Sequence, residues 1–446
     1  MWRPSPRHTP SLGVIRLIPD RWAAGGRALG RHEGRVVLVA GAVPGDSVTA
    51  EIRRDRGRFV EAVARSIDVP SRGRRSVPCP IQDRCGGCPL MPMDEGAQQD
   101  AKRRFVIDAL ERIAKVRTAP VEAIDAPRPW LGYRGKIELV FGRDREGRSV
   151  LGYHAHGDES GIVDVPACAV ADPRVQPLVD LVRTSFLEAP SPPLGARVAF
   201  RVAATGSDRL IVFFGEVVPA ATRTEFAQVA MRREPSLTGV ASVVAETGRR
   251  GGAKTVSIAG RPWLSETILG TTFRVPPAAF LQVHPRAAEV LGRHLLEATT
   301  GVESVIELYS GVGGFGLAFT RRGASTTIVE ADAAAVSCGE EAAERNGISG
   351  VRFVRSDAGR FLERVPGSAR HDLLIADPPR TGLGRGVVDG IARLAPRRIA
   401  LVSCDPATMA RDIAGLTGHG YRLERVTPFD LFPQTAHVEA VAWLAR

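Results

Sequence analysis

The feature that most constrains the fold is a glycine-rich turn in the last third of the 446-residue chain. The run S-V-I-E-L at residues 304–308 predicts a buried strand, and G-V-G-G-F-G at residues 311–316 opens a predicted helix. Such glycines let the backbone pass close to a ligand at the carboxyl edge of a parallel sheet. From about residue 286 onward, strand-like and helix-like segments alternate, which is the pattern of a parallel α/β sheet. The sequence therefore predicts a Rossmann-like α/β domain with a ligand site at this turn.

The glycines alone leave two interpretations of the turn open. The run matches G-x-G-x-x-G, which is typical of dinucleotide binding, but similar turns bind S-adenosylmethionine. In either case Glu330, at the end of the second predicted strand, could bind ribose hydroxyls. The flanking residues favour the second interpretation. Glu307 supplies the acid of the E/D-x-x-x-G-x-G pattern of class I methyltransferases, and Asp377 begins a D-P-P run where such enzymes hold the methyl acceptor.

The segment S-C-D-P at residues 403–406 places a cysteine between a predicted strand and a predicted helix. The strand covers residues 398–402, and Asp405 and Pro406 are typical of the N-cap and first position of a helix. Backbone N–H groups and the macrodipole at a helix N-terminus stabilise a thiolate. The sequence thus predicts that Cys404 is a reactive thiolate. The neighbouring acid, Asp405, is expected to raise the pKa of the thiol somewhat.

Positive charge is concentrated near the N-terminus. The net charge is +11, and residues 1–75 contain 15 arginines against 7 acidic residues. Arg53, Arg54, Arg56 and Arg58 form a run in which each residue alone would be an ordinary solvated charge. Their cluster on a small β-rich module favours nucleic acid binding. No apolar run is long enough to span a membrane and no secretory signal opens the chain, so a cytoplasmic protein without an obligate protein partner is expected.

A second basic feature is the run Y-R-G-K at residues 133–136. Its Arg134 and Lys136 could bind RNA phosphates or could be solvated charges. The sequence does not separate these two interpretations.

Four segments are predicted along the chain. Residues 1–11 carry no periodicity and are predicted to be a tail. Residues 12–68 contain short strands and Gly/Pro turns, which predict a small OB-like β-barrel. Residues 69–285 predict a mixed α+β central domain, and residues 286–446 the α/β domain.

Three of the six cysteines fall within ten residues, at Cys79, Cys85 and Cys88, and Cys168 is a candidate fourth member. In a cytosolic chain this spacing indicates a metal site rather than disulfides. Zinc sites more often show two paired C-x-x-C halves or histidines. Three local ligands with intervening glycines and one distant ligand favour a 4Fe-4S cluster over zinc. Cys338 lies in a predicted helix and is expected to be a core residue.

Several separate motifs resemble those of the RNA 5-methyluridine methyltransferases. They are F-x-Q at residues 280–282, the glycine turn with its Glu307, D-P-P-R-x-G at residues 377–382, S-C-D-P in place of S-C-N-P, and F-P-x-T-x-H-V-E at residues 432–439. The four cysteines match the cluster ligands of the iron–sulfur members, and residues 12–68 look like the TRAM domain of the 23S ribosomal RNA enzymes. Two positions depart from the pattern, since His284 and Asp405 each stand where Asn is usual.

The resemblance implies methyl transfer from S-adenosylmethionine to C5 of a uridine in RNA, with ribosomal RNA preferred and transfer RNA as the alternative. Cys404 is implied to add to uracil C6, and Glu439 to remove the C5 proton afterwards. Outside this context Glu439 would be interpreted as an exposed strand-end carboxylate. The target base must be flipped out or unpaired to reach the thiol. The residues implied to contact the cofactor or the uracil are Gln282, Tyr309, Gly311, Glu330, Asp357 and Asp377.

Two rival functions were weighed against this one. An NAD-dependent oxidoreductase would use an iron–sulfur cluster for electron transfer, but it would explain neither the D-P-P-R run nor Cys404. An RNA-binding protein with a vestigial catalytic domain would not need both Cys404 and Glu439. We therefore predict an enzyme, an RNA (uracil-C5-)-methyltransferase.

Overall fold

A computed structural model of the chain describes residues 13–156, 158–189, 191–245, 253–279, 285–366 and 371–446. The backbone divides into two compact units. The first unit contains the described residues up to Ala101, together with those of 142–165 and 433–436. The second unit contains the described parts of 102–141, 166–432 and 437–446. Each unit is therefore assembled from segments that are distant in sequence.

The strands are, in chain order, β1 (Val14–Leu17), β2 (Arg21–Ala23), β3 (Arg27–His32), β4 (Arg35–Ala40), β5 (Ser47–Asp55), β6 (Phe59–Val69), β7 (Lys136–Arg143), β8 (Ser149–Ala155), β9 (Asp158–Asp164), β10 (Arg197–Val202), β11 (Arg209–Phe214), β12 (Gly239–Ala245), β13 (Ala253–Gly260), β14 (Leu264–Ile268), β15 (Thr271–Val275), β16 (Ser304–Leu308), β17 (Ser325–Glu330), β18 (Val351–Arg355), β19 (Leu373–Ala376), β20 (Arg398–Ser403), β21 (Arg422–Phe429) and β22 (Glu439–Ala445). The helices are α1 (Glu95–Arg112), α2 (Gln176–Leu187), α3 (Ala220–Arg233), α4 (Pro285–Glu297), α5 (Gly314–Arg321), α6 (Ala333–Arg345), α7 (Ala358–Arg364), α8 (Arg385–Leu394) and α9 (Pro406–Gly418).

The first unit is built on a six-stranded sheet in the order β1-β5-β6-β4-β3-β2. Residues alternate between buried and accessible along these strands because one face packs on an apolar core. Val37, Val39, Val48 and Ala50 in that core are almost completely buried. β1 and β2 stay as the two edges, so the small closed barrel predicted for residues 12–68 is seen as an open sheet.

A segment rich in turns, residues 70–94, follows this sheet in the first unit. Cys85 and Ala155 form an isolated bridge, which joins the segment to the antiparallel hairpin of β8 and β9. Gln434 belongs to the same unit, since its carbonyl accepts the Leu90 N–H at 3.0 Å. The cysteine-rich segment is therefore tied to two distant parts of the chain by backbone hydrogen bonds.

The second unit contains a sheet segment in the order β13-β12-β11-β10-β7. On one face Phe141 and Phe213 pack against Phe186 of α2 and Phe226 of α3, with ring centroids 5.1–5.7 Å apart. The other face packs against the β14–β15 hairpin through residues that include Leu264. This region comes from the range 69–285, for which the sequence predicted a mixed α+β domain, while other parts of that range belong to the first unit.

The remaining strands form a seven-stranded sheet in the order β18-β17-β16-β19-β20-β22-β21. The first five strands are parallel, and β22 and β21 form an antiparallel hairpin beside β20. β19 is wholly buried and wholly apolar, as expected of a strand with both faces covered. The predicted Rossmann-like α/β domain is thus confirmed. The strand order reverses between β16 and β19, and ligands of such sheets bind outside the carboxyl ends at this reversal.

Several local predictions coincide with the structure. β16 covers the predicted residues 304–308, and α6 contains Cys338, which is buried as expected. Predictions that lie outside the described residues are the tail 1–11 and the F-x-Q motif with Gln282 and His284. Within the described part of the chain, we find no helix that is long and apolar enough to cross a membrane.

Candidate active site

Three of the residues singled out in the sequence lie at one edge of the parallel sheet. Asp377 follows β19, Cys404 follows β20, and Glu439 is the first residue of β22. β19 and β20 are parallel neighbours, while β22 runs antiparallel to β20 with Ala440 opposite Ser403. The carboxyl ends of two strands and the amino end of a third therefore meet. This topology brings together residues that are 27 and 35 positions from Cys404 in sequence.

The two carboxyl groups at this edge are surrounded by protein. Glu439 is 2% exposed. Burial raises its pKa well above the ordinary value, and the nearby Asp377 raises it further. Asp377 keeps partial access to solvent, and its surroundings raise its own pKa to about 7. Because two neighbouring carboxyls resist ionising together, the ionised form of Asp377 favours the protonated form of Glu439.

The ionisation state of the Cys404 thiol differs from the one that the sequence predicts. Asp405 and Pro406 do begin α9 as predicted, and the Asp405 carboxylate accepts the N–H groups of Ala407 and Thr408 at 2.9 Å. The prediction of a stabilised thiolate is nevertheless wrong for the free enzyme. Burial raises the pKa of Cys404 to about 11, and Glu439 adds to that rise. A helix N-terminus does not outweigh burial beside two carboxyl groups.

Arg380 is the cation that acts on this cluster. Its guanidinium lies 3.3 and 3.4 Å from the two ring nitrogens of His437. Arg380 opposes the rise in pKa of both Cys404 and Glu439. The packing around His437 lowers the pKa of its imidazole, and Arg380 lowers it further, so this ring is neutral at neutral pH. Sequence reasoning did not assign a role to Arg380 or His437, although both stand inside the motifs D-P-P-R and H-V-E.

The loop that carries Asp377 and Arg380 is held by the helix that follows Cys404. The Asp412 carboxylate on α9 accepts the Leu383 N–H at 2.8 Å. Gly382 has a left-handed backbone with φ of +75°, and a Cβ there would come within 2.3 Å of Asp412 Oδ2. A glycine is therefore required at this point of the loop. The helix α9 thus holds the loop that carries Asp377 and Arg380, and it also begins directly after Cys404.

The glycine turn lies at the carboxyl end of β16. Tyr309, Gly311 and Gly313 all have left-handed backbones, with φ between +54° and +79°. The Glu307 carboxyl group is 2% exposed and accepts the Gly316 N–H at 2.8 Å. Burial raises the pKa of Glu307 to about 8. Glu307 thus supports the turn from inside the sheet rather than facing a ligand.

The remaining predicted cofactor residues surround this turn. Glu330 accepts the Gly311 N–H at 2.9 Å and the Asp332 N–H at 2.8 Å. Burial raises the pKa of the Tyr309 phenol to about 12, so it is a hydrogen-bond donor at neutral pH. Asp357 is exposed at the carboxyl end of β18 and caps α7 by accepting the Gly359 N–H at 2.9 Å.

The predicted metal ligands fall in two different units. Cys79, Cys85 and Cys88 share the turn-rich segment of the first unit, whereas Cys168 belongs to the second. All six cysteines are described, and each is a thiol outside any disulfide. Among the described residues, no group of three or more His, Cys, Asp or Glu side chains converges tightly enough to hold a metal ion.

The fold resembles that of a solved enzyme. The crystal structure of Pyrococcus abyssi tRNA (uracil-54, C5)-methyltransferase, in complex with S-adenosyl-L-homocysteine, matches with a TM-score of 0.71. The match covers 97% of this chain and 100% of that chain at 21% sequence identity. At this identity the likeness concerns the fold.

Sequence comparison gives the family. Residues 270–446 match the model of the tRNA (Uracil-5-)-methyltransferase family. An uncharacterized RNA methyltransferase of Gloeobacter violaceus is 35% identical over 95% of this chain and 94% of its own length. Another, from Thermosynechococcus vestitus, is 34% identical over 97% of this chain and 98% of its own. Because these relatives align over nearly their full length, this chain belongs to the RNA uracil-5-methyltransferase family and is an RNA methyltransferase.

Proposed function

We propose that this enzyme transfers a methyl group from S-adenosylmethionine to C5 of a uridine in RNA, with Cys404 as nucleophile and Glu439 as base. The observation that carries the proposal is the meeting of Cys404, Glu439 and Asp377 where β19, β20 and β22 come together. Uracil C5 is a weak nucleophile, and covalent addition at C6 makes it a strong one. A site for this reaction needs a thiol and a separate base.

The first step is addition of the Cys404 sulfur to uracil C6. The electrons of the C5–C6 double bond move toward O4, which gives an enolate with a nucleophilic C5. The thiol proton has to leave at this point, since the pKa of Cys404 is about 11 in the free enzyme. Asp377, with a pKa of about 7, is the proposed acceptor because part of the population is ionised near neutral pH. Arg380 favours the thiolate as it forms.

When bound, S-adenosylmethionine would supply the electrophilic methyl group that C5 takes, with its sulfonium S–CH3 bond broken and S-adenosylhomocysteine as the leaving group. The raised pKa of Glu439 keeps it protonated in the free enzyme, so it first releases that proton to solvent, and its carboxylate then removes the hydrogen that C5 still carries. The electrons of that C–H bond restore the C5–C6 double bond and expel the Cys404 sulfur as a thiolate. A carboxylate whose pKa is raised by burial is a stronger base than an ordinary one, which suits this step.

The residues around the glycine turn suit such a methyl donor. Glu330 offers carboxylate oxygens and Tyr309 a phenol beside the open turn, next to the reversal of strand order where ligands bind. Gly311 leaves the backbone accessible there. Asp357 and Gln282 stay proposals that rest on the family resemblance.

The mechanism can be tested with RNA that contains 5-fluorouridine. Fluorine at C5 cannot be removed as a proton, so the enzyme should stay covalently attached through Cys404. Intact mass and peptide mapping should place the adduct on that residue. Cys338→Ala, which removes a buried cysteine of α6, is the matched control and should still form the adduct. If the mass of the protein is unchanged after incubation with this RNA and S-adenosylmethionine, the mechanism is rejected.

We propose ribosomal RNA as the substrate because the N-terminal module and the cysteine set resemble the 23S ribosomal RNA branch. Transfer RNA is the alternative, and it is supported by the matching family model and the solved enzyme of similar fold, which are both named as transfer RNA methyltransferases. Mapping 5-methyluridine in both RNA classes, from cells with and without the gene, separates the two. Loss of the modification from transfer RNA alone would reject the ribosomal assignment.

The iron–sulfur cluster is a separate proposal, supported by the spacing of Cys79, Cys85, Cys88 and Cys168. No step of the mechanism passes through it. Protein purified without oxygen should contain iron, sulfide and broad visible absorbance, and Cys85→Ser should lose them. Protein that contains none of these under such conditions would exclude the cluster.

A further inference from the structure

Two cationic side chains stand directly opposite each other in the sheet of the second unit. The antiparallel register of β7 and β10 pairs Lys136 with Arg201, so both side chains lie on the same face. Like charges in this arrangement destabilise a sheet. A site that served packing alone would be more stable without one of these charges.

The charge of Lys136 is only partly balanced, by Glu138. Farther along the two strands, Arg197 is paired with Glu138 at 2.8 Å between Nη1 and Oε1. Arg201 is 5% exposed, and Glu266 partly offsets its charge. Lys136 makes no hydrogen bond or ion pair through its ammonium group with any residue that the structure describes. The ammonium group is therefore available to an anion.

Arg134 lies next to this ammonium group along the chain. Its Nε donates a hydrogen bond to the Lys136 carbonyl at 3.0 Å. Burial lowers the pKa of Lys136, and Arg201 lowers it further, followed by Arg134 and Arg197, while Glu138 opposes them. A bound anion would reverse the effect of these cations. The local excess of positive charge thus indicates an anion site.

The site lies toward the catalytic cluster. Arg134 is one of the cations that lower the pKa of His437. His437 is in contact with Arg380 at 3.3 Å, and Arg380 in turn acts on the pKa of Cys404. A chain of neighbouring charges therefore connects Arg134 to the nucleophile. An anion at Arg134 would therefore act on a series of charges that extends through His437 and Arg380 toward Cys404.

We propose that Lys136 and Arg134 bind a backbone phosphate of the RNA beside the target uridine. The inference rests on the proposed function, which supplies the RNA. A flipped-out nucleotide keeps its flanking phosphates, and contacts to them position the base without reading its sequence. Lysine binds phosphate as a point charge, whereas arginine offers a planar fork of donors. The phosphate also offsets the repulsion between Lys136 and Arg201.

Lys136→Met tests this site, because it removes the charge and relieves the repulsion across the strands. We expect KM for RNA to rise about ten- to a hundredfold, since a charge-assisted contact is lost, with kcat unchanged. The slope of log affinity against log salt should become shallower by about 0.7 to 0.9. Filter binding at several salt concentrations measures the slope without requiring methyl transfer.

Two matched variants complete the experiment. Lys254→Met makes the same change at an exposed position of β13 and should leave affinity and salt slope as they are. Lys136→Arg should restore most of the affinity, which a merely structural role would not require. An unchanged KM and salt slope in Lys136→Met would overturn the proposal, and so would a selective loss of S-adenosylmethionine affinity in calorimetry.

The two proposals can fail separately. If the wild type shows no 5-fluorouridine adduct but Lys136→Met still has a shallower salt slope, the catalytic mechanism fails and the phosphate site stands. If the adduct forms but the slope is unchanged, the phosphate site fails and the mechanism stands.

Discussion

Two buried acidic sites, one in each unit, show opposite ways of handling charge. In the first unit, the Asp46 carboxylate is completely buried and accepts four hydrogen bonds at 2.8 Å. Two come from the backbone N–H groups of Val43 and Ser71, and two from the Arg74 guanidinium. Both carboxylate oxygens of Asp46 therefore accept hydrogen bonds. The contact joins the turn after β4 to the segment that follows β6.

The second unit holds the buried Glu439 and the half-buried Asp377 without such compensation. Neither carboxyl forms an ion pair with a basic side chain in the part of the chain that the structure describes. Their pKa values are raised for that reason, and they raise the pKa of the neighbouring Cys404 thiol. A satisfied buried charge contributes to folding, whereas an unsatisfied one holds a proton that chemistry can move. The comparison separates the structural acid Asp46 from the two acids for which we propose a catalytic role.

Cys404→Ala gives the largest expected effect. Without the sulfur there is no covalent activation of uracil C5, so product formation should fall below detection. Transfer of radiolabelled methyl from S-adenosylmethionine to RNA measures it. Binding of S-adenosylmethionine should persist in calorimetry, and residual turnover near the wild-type rate would contradict the assignment.

Glu439→Gln is expected to slow turnover by about 10²- to 10⁴-fold, the usual contribution of a general base. Because addition of Cys404 does not need this carboxylate, a covalent adduct should accumulate even with ordinary uridine. Denaturing gels of enzyme with labelled RNA detect the adduct. A slow variant that accumulates none would place the base elsewhere.

Asp46→Ala tests the structural acid. It leaves the partly buried Arg74 guanidinium and the backbone N–H groups of Val43 and Ser71 without their acceptor, which we expect to lower the unfolding free energy by about 1–3 kcal/mol. Urea titration of the full-length enzyme measures the loss. Methyl transfer at low temperature should survive, in contrast to the Glu439→Gln variant, and an intact stability would contradict the role given to Asp46.

Asp377→Asn tests the catalytic acid through the pH dependence of stability. The folded pKa of Asp377, about 7, lies above its unfolded value, so the folded state holds its proton more tightly. Wild-type stability relative to the variant should therefore be greatest in acid. It should fall by up to about 1.4 kcal/mol per pH unit between roughly pH 4 and 7. Denaturant titrations of both proteins across that range measure the difference in unfolding free energy. A difference that does not change with pH would contradict the raised pKa of Asp377.

Asp405→Asn should have the smallest effect. Aspartate and asparagine are nearly equal as N-caps, so the unfolding free energy should change by less than about 0.5 kcal/mol. Alkylation of Cys404 by iodoacetamide, followed by peptide mass spectrometry, reports its thiolate fraction. If burial and Glu439 set the pKa of the thiol, the rate of alkylation of Cys404 should change little in this variant. A large acceleration would show that Asp405 belongs with the catalytic acids.

Much of the fold and of the candidate site could be predicted from the sequence because its signals are local. The strand at residues 304–308, the glycine turn after it and the N-cap at Asp405 each depend on a few neighbouring residues. Arg380 and His437 were missed as a pair, since they come from two motifs that meet only when β19 and β22 both lie beside β20. The pairing of Lys136 with Arg201 likewise depends on strand register.

The sequence by itself determined the α/β domain and the family, and it led to the proposal of Cys404 as nucleophile and Glu439 as base, because these depend on residue types and spacing along the chain. Only the tertiary structure decided the ionisation of Cys404. Its pKa of about 11 depends on burial and on carboxyl groups 27 and 35 positions away in sequence. Solvent exclusion and the distances between charges exist only once the strands have paired, so a thiol that looks activated in the sequence is protonated in the folded chain.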